Sequence, residues 1–182
     1  QEVAYPTSYD PSLLFPIARH QGREQFASAM ALPALPFSGW DLWNAYEMSW
    51  LTPQGMPQVA ILRLIVDCTS PHIIESKSLK LYLNSFNQTA FASTDQMLET
   101  ICKDLSAAAG TPVSVELIPT RDFANLQIEE FDGLDLDAQA LTIDCYEPNA
   151  ELLCLAAATN GSTSSVSESL FSRLLKSNCP VT

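Results

Sequence analysis

Ile73-Ile-Glu-Ser-Lys-Ser-Leu-Lys-Leu-Tyr-Leu-Asn-Ser-Phe-Asn-Gln-Thr89 is the stretch in which a short apolar segment passes into a helix whose first turns are dense with directional polar groups. Leu79, Tyr82, Leu83 and Phe86 recur at i, i+3, i+4 and i+7 and so share one helical face. Lys77, Lys80 and Asn84 follow the same spacing on another face, so one side packs and the other carries charge. The sequence predicts a helix over about Ser76 to Phe86 with Ser76 as its N-cap and Glu75 just outside it. On that reading free backbone N–H groups and two lysines meet at the helix start, an arrangement that favours phosphate. The adjoining carboxylate of Glu75 can accept two hydrogen bonds from a planar N–H donor such as a guanine-type base. Spacing alone favours an ordinary amphipathic helix whose lysines are merely solvated.

Outward from this stretch, the chain reads as alternating elements. Leu42, Tyr46, Met48 and Trp50 alternate onto one side of a strand over Asp41 to Leu51, and Thr52 to Pro57 turns the chain. Gln58 to Cys68 follows as a strand apolar on both faces, with Ala60, Leu62, Leu64 and Val66 on one and Val59, Ile61 and Ile65 on the other, which argues for a central position. After the helix just described, Ser93 and Gln96 form a capping box for a second helix. Its stripe is Met97, Leu98, Ile101, Leu105 and Ala108, and Gly110 and Pro112 end it. Val113 to Ile118 predicts a third strand and Leu141 to Tyr146 a fourth. Pro6, Pro11, Pro16, Pro33 and Pro36 make residues 1–36 an extended arm with a short helical turn near Glu24 to Met30. Asn160 to Ser165 is a Gly/Ser/Thr linker, after which Ser165 and Glu168 cap a helix carrying Leu170, Phe171, Leu174 and Leu175.

With 182 residues, 47% of them hydrophobic, the chain can bury a core of ordinary domain size. The formal net charge of −12 argues against a surface that tracks nucleic acid, so any nucleotide partner is small and held locally. No apolar run reaches the roughly 18–20 residues of a transmembrane helix, and the first residues lack a signal-peptide pattern; the expectation is a cytoplasmic protein with no membrane partner. Five cysteines without a C-x-x-C pair and two histidines suit neither a disulfide framework nor a zinc site, so reduced thiols and no metal are expected. Cys68, Cys102, Cys145 and Cys154 read as small core residues. The five carboxylates from Glu129 to Asp137 read as a solvated loop, because the spacing of a calcium loop is missing.

Glu75-Ser-Lys-Ser-Leu-Lys-Leu-Tyr82 resembles the signature of the NADPH-dependent 7-cyano-7-deazaguanine reductases, nitrile reductases of queuosine (tRNA modification) biosynthesis, and Ser177-Asn-Cys-Pro-Val-Thr182 resembles the segment carrying their cysteine nucleophile. Tyr9 to Arg19 is similar to the N-terminal extension of the longer, two-module branch. The resemblance implies the α+β tunnelling fold (T-fold), a four-stranded antiparallel sheet with two helices on one face in the order ββααββ. In that fold, modules associate so that their sheets close into a barrel and active sites form between modules, which implies a homo-oligomer. The division implied is an arm over 1–36, a T-fold module over 37–159, and a linker, helix and start of a second module over 160–182.

The resemblance also assigns roles. Cys179 adds as thiolate to the nitrile carbon, giving a covalent thioimide that two hydrides from two NADPH molecules reduce to the aminomethyl product. Covalent attachment turns hydride addition to a nitrile into an easier addition to a C=N bond. Glu75, with Ser76 beside it, holds the base, and Ser76, Lys77, Ser78 and Lys80 bind NADPH. Nothing in the residues alone requires a nicotinamide cofactor, since the six glycines make no G-x-G-x-x-G. Cys179 also follows a helix C-terminus, which opposes ionisation, with Lys176 as an offset. The family places an aspartate general acid and a His-Glu pair beyond the nucleophile, and the chain stops before both. The expectation is therefore the N-terminal portion of a two-module enzyme, inactive alone. A non-catalytic nucleotide-binding or assembly module, and a pterin-type enzyme of the same fold, are the alternatives.

Overall fold

Two strands with opposite relations to the core set the frame. In the computed structural model, which describes residues 7–30, 35, 37–127, 134–135, 142, 144 and 170–171, β2 (Trp40–Leu51) and β3 (Pro57–Asp67) form an antiparallel pair. Their tight turn is closed by Gly55 N–H to Thr52 O at 2.8 Å, with Gly55 at φ 79°. β5 (Val113–Pro119) joins the other side of β3, so the sheet order is β2-β3-β5 and the predicted central strand is central. The described fold is α+β, with antiparallel pairing in its main sheet.

Helices α2 (Ser76–Asn84) and α3 (Thr94–Ala109) cover one face of this sheet. Met48, Trp50, Ala60, Leu62, Leu64 and Val66 point from the strands into the same core as Leu79, Tyr82 and Leu83 of α2 and Met97, Ile101 and Leu105 of α3. Phe86, just past α2, packs edge-on to Tyr82 at 5.1 Å and stacks on Phe91 at 5.4 Å. The capping box appears as expected at its first contact: Ser93 Oγ accepts from Gln96 N–H. The Gln96 side chain reaches one residue further back, to Ala92 N–H at 2.9 Å.

The second face of β3 departs from expectation. Ile61 is buried but Val59 is 59% exposed, so the apolar residues of that side are not uniformly covered. The face of β2 is also different. Met48 and Trp50 are 1% and 5% exposed, yet Leu42 and Tyr46 are 51% and 70% exposed, although all four are even-numbered. Between Ala45, opposite Leu62, and Met48, opposite Ala60, β2 carries one residue more than β3. This β-bulge exchanges the two faces of the strand, so Trp43 and Ala45 pack on the core before it and Met48 and Trp50 after it. Simple alternation cannot reveal such a slip.

The N-terminal residues are more ordered than an arm with one helical turn. A 3-10 turn over Pro11–Leu13 leads to β1 (Pro16–Ala18), which pairs antiparallel with β4 (His72–Ile74), and then to α1 (Arg19–Met30). Arg19 closes this corner through an ion pair with Asp41 and an Nε bond to Ser70 Oγ at 2.8 Å. Tertiary partners supply what local periodicity lacks here: strand pairing organises three residues too few to show a pattern.

Gly110 ends α3 at φ 72°, its N–H bonded to Ser106 O. A Cβ there would lie 3.1 Å from Pro71 Cγ, so the left-handed conformation and the close approach demand glycine together. Gly110→Ala is expected to cost about 1–2 kcal/mol, read as a lower urea midpoint with an unchanged m-value.

The described residues divide into two units between Leu126 and Gln127. In the second, Leu134–Asp135 and Leu170–Phe171 pair in parallel. The fourth strand expected over Leu141 to Tyr146, where only Thr142 and Asp144 are described, lies otherwise outside the described residues, as does the Asn160–Ser165 linker. Of the helix expected beyond it only Leu170 and Phe171 are described, and they are strand rather than helix because they pair with Leu134–Asp135.

Candidate active site

The start of α2 is built differently from the expected cap. Glu75 itself is the N-cap, with extended backbone (φ −62°, ψ 132°), and its side chain takes the helix's own donors. Oε1 accepts from Lys77 N–H at 2.9 Å and Oε2 from Ser78 N–H at 2.6 Å. Two backbone donors expected to be free for a phosphate are thus already engaged, because a glutamate one residue before the helix can fold back onto it. The result is a carboxylate gripped by one lone pair on each oxygen, with further acceptor capacity on both.

The side chains of the motif divide. Ser76, Lys77 and Lys80 are exposed. Ser78 is buried: its Oγ donates to Glu75 O at 2.7 Å and accepts from Phe15 N–H at 3.0 Å. Ser76, Leu79, Lys80, Leu83 and Asn84 form one wall of a cleft of about 360 Å³, whose other wall is Trp43 to Met48 of β2. The stripe Ser76, Lys80, Asn84 (i, i+4, i+8) replaces the predicted Lys77, Lys80, Asn84 grouping, and Lys77 is not among the cleft's residues. Asn44, Tyr46 and Glu47 of that second wall were not foreseen. The bulge that places Tyr46 and Glu47 has no local sequence signal.

Cys179 and its flanking residues lie outside the described residues, as do Cys145 and Cys154. Of the other two cysteines, Cys68 is buried and Cys102 partly so, as small core residues would be. Among the described residues, no group of three His, Cys, Asp or Glu is arranged to hold a metal ion, and no helix is long and apolar enough to cross a membrane. The acidic stretch from Glu129 to Asp137 is described only at Leu134–Asp135.

This helix start sets a capping carboxylate beside two exposed ammonium groups, of which Lys80 lies on the wall of the cleft. The chain belongs to the nitrile reductase family: the family model described as nitrile reductase, 7-cyano-7-deazaguanine-reductase N-term, matches residues 5–117. Among curated proteins it is similar to the NADPH-dependent 7-cyano-7-deazaguanine reductase of Burkholderia orbicola, with 51% identity over 180 residues covering 99% of this chain and 63% of that protein. Reductases of the same name from Paraburkholderia phytofirmans and Paraburkholderia xenovorans are each 52% identical, over 98% of this chain and 63% and 62% of their own lengths. The chain therefore spans somewhat less than two thirds of the length of these relatives.

Proposed function

We propose that this chain, as part of a protein of its relatives' length, acts in the NADPH-dependent reduction of the nitrile of 7-cyano-7-deazaguanine to a primary amine. The observation that carries this reading is the Glu75 carboxylate, fixed across the start of α2 next to the exposed Ser76, Lys77 and Lys80, within a chain whose relatives bear that name. A rigid carboxylate with acceptor capacity on both oxygens suits the adjacent N–H groups of a guanine-like edge. Ser76 extends the polar surface on the base side and belongs to the cleft.

The residues present fit a phosphate-bearing cofactor through side chains rather than through the helix's backbone donors. Lys77 and Lys80 supply point charges for its phosphates and Ser76 a hydroxyl. Ser78, which the resemblance also assigns to the cofactor, turns its hydroxyl inward to Glu75 O and Phe15 N–H, so its part here is to hold the helix start rather than to touch NADPH. When bound, NADPH supplies hydride, two equivalents per nitrile. The Cys179 thiolate adds to the nitrile carbon, forming a C–S bond as one C–N π bond breaks and a proton goes to nitrogen. After the first hydride the nitrogen lone pair expels the sulfur as thiolate and restores a C=N bond, so the cysteine is regenerated before the second hydride gives the amine.

The finer architecture belongs to the same proposal. The three-stranded sheet and its two helices are one T-fold module within residues 37–159, which residues 141–146 complete as a fourth strand. Residues 1–36 are an arm on it, and residues 160–182 lead into a second module. Association of such modules gives a cytoplasmic homo-oligomer.

In a chain extended to the relatives' length, each mole of nitrile is expected to consume two moles of NADPH, followed by the loss of nicotinamide absorbance. The nitrile without NADPH is expected to add its full mass to Cys179, seen by mass spectrometry of the digested protein. Absence of both nitrile-dependent oxidation and the adduct overturns the reading. The 182-residue chain alone is expected not to sustain oxidation; sustained turnover would show that the remaining third of the relatives' length is dispensable.

A further inference from the structure

Ser78 lies within the signature helix, yet its hydroxyl faces inward, and the bonds around it close a ring. Its Oγ donates to Glu75 O and accepts from Phe15 N–H, while Glu75 N–H donates to Phe15 O at 2.9 Å. The ring continues the β1–β4 ladder, whose last pair is Pro16 with Ile74, and it ends at the residue whose carboxylate caps α2. Both backbone groups of Phe15 are used, whereas its side chain is 61% exposed. Pro16 restricts Phe15 to extended backbone, so the clamp is set before the two segments meet. A glutamate side chain has several rotatable bonds and loses binding power when it wanders, so a fixed main chain on both sides of Glu75 matters for recognition.

From this ring we infer that Ser78 is a positioning residue for the base-binding carboxylate: through Phe15 of the N-terminal segment it holds Glu75 in the orientation that receives the nitrile substrate. This rests on the functional reading above for its kinetic consequence, but not for its structural one. The second serine of the motif thus acts on the substrate side, and the segment Tyr9 to Ala18 is part of the site's support.

Two experiments separate the inference from that reading. In the 182-residue chain, Ser78→Ala is expected to speed amide hydrogen exchange at Phe15, Lys77 and Ser78 about tenfold, leave Met97 and Ile101 of α3 unchanged, and be reversed by Ser78→Thr. Phe15→Ala, which keeps both backbone bonds, is the neutral control. Unchanged exchange at those three amides overturns the inference whether or not the protein is a reductase. In the extended chain, Ser78→Ala is expected to raise KM for the nitrile about tenfold with KM for NADPH within twofold. In a Glu75→Ala background the same change is expected to add less than twofold. A rise in KM for NADPH instead, or a full tenfold loss in the Glu75→Ala background, shows that Ser78 does not act through Glu75. If the unaltered extended chain reduces no nitrile, the functional reading falls and the exchange result alone decides the role of Ser78.

Discussion

Glu75→Ala in the reductase-length protein is expected to lower kcat/KM for the nitrile about a thousandfold. Two hydrogen bonds to a charged acceptor, each worth about 1.5–3 kcal/mol in a desolvated site, amount to roughly 4 kcal/mol, and each 1.36 kcal/mol is a factor of ten. The same substitution removes the cap of α2, because the carboxylate holds Lys77 and Ser78 N–H, and that part costs about 1 kcal/mol of stability. Glu75→Asp separates the two effects. Aspartate is a favoured N-cap and is expected to restore most of the melting temperature, but it is one methylene short and leaves turnover low. If Glu75→Ala keeps kcat/KM within threefold, the carboxylate is a cap and nothing more.

The second large effect concerns Asp104 of α3. Its Oδ2 accepts from Tyr9 OH at 2.6 Å and from Tyr82 OH at 2.8 Å, which ties the N-terminal segment and α2 to α3. Tyr82 is completely buried, and Tyr9 packs edge-on to Phe86 at 5.3 Å. Asp104→Ala leaves a buried hydroxyl without its acceptor and is expected to cost about 3 kcal/mol, a drop of about 10 °C in Tm; Asp104→Asn, which retains a carbonyl oxygen, is expected to cost less.

The same cluster sets an alkaline limit. Burial first, then the hydrogen bond to Asp104 and the charges of Asp104 and Asp10, push the Tyr9 phenol up to about 12. Tyr82 moves in the same direction, again chiefly through burial. The unfolded chain releases these protons near pH 10 while the folded one keeps them, so between these values the native state binds more protons and stability falls as pH rises. The contribution is fully present below about pH 10 and is lost as pH passes through about 12. Urea midpoints of the parent and Tyr9→Phe proteins should therefore converge over that interval; parallel curves would show that Tyr9 does not contribute to the limit.

Much of this was legible in the residues, for reasons that can be named. The stripes of α2 and α3 and the apolar run of β3 follow from burial on a periodic element. Ser93 and Gly110 mark helix ends by chemistry that acts within one turn. Glu75-Ser-Lys-Ser pointed to the family and to the helix start because the motif is contiguous. The split between its two serines was not visible. Ser76 and Ser78 are alike in the chain, and only Phe15, 63 positions before Ser78, turns one of them inward.

The sequence by itself therefore determined helices α2 and α3, the strands of the main sheet and the candidate polar residues at the start of α2, since each depends on neighbours a few positions away. Tertiary structure decided which face of β2 meets the core, that Glu75 rather than Ser76 caps α2, and that the N-terminal residues pair with β4 to brace it. Those outcomes depend on a one-residue slip in strand register and on hydrogen bonds between distant segments, and neither leaves a periodic trace in the order of the amino acids.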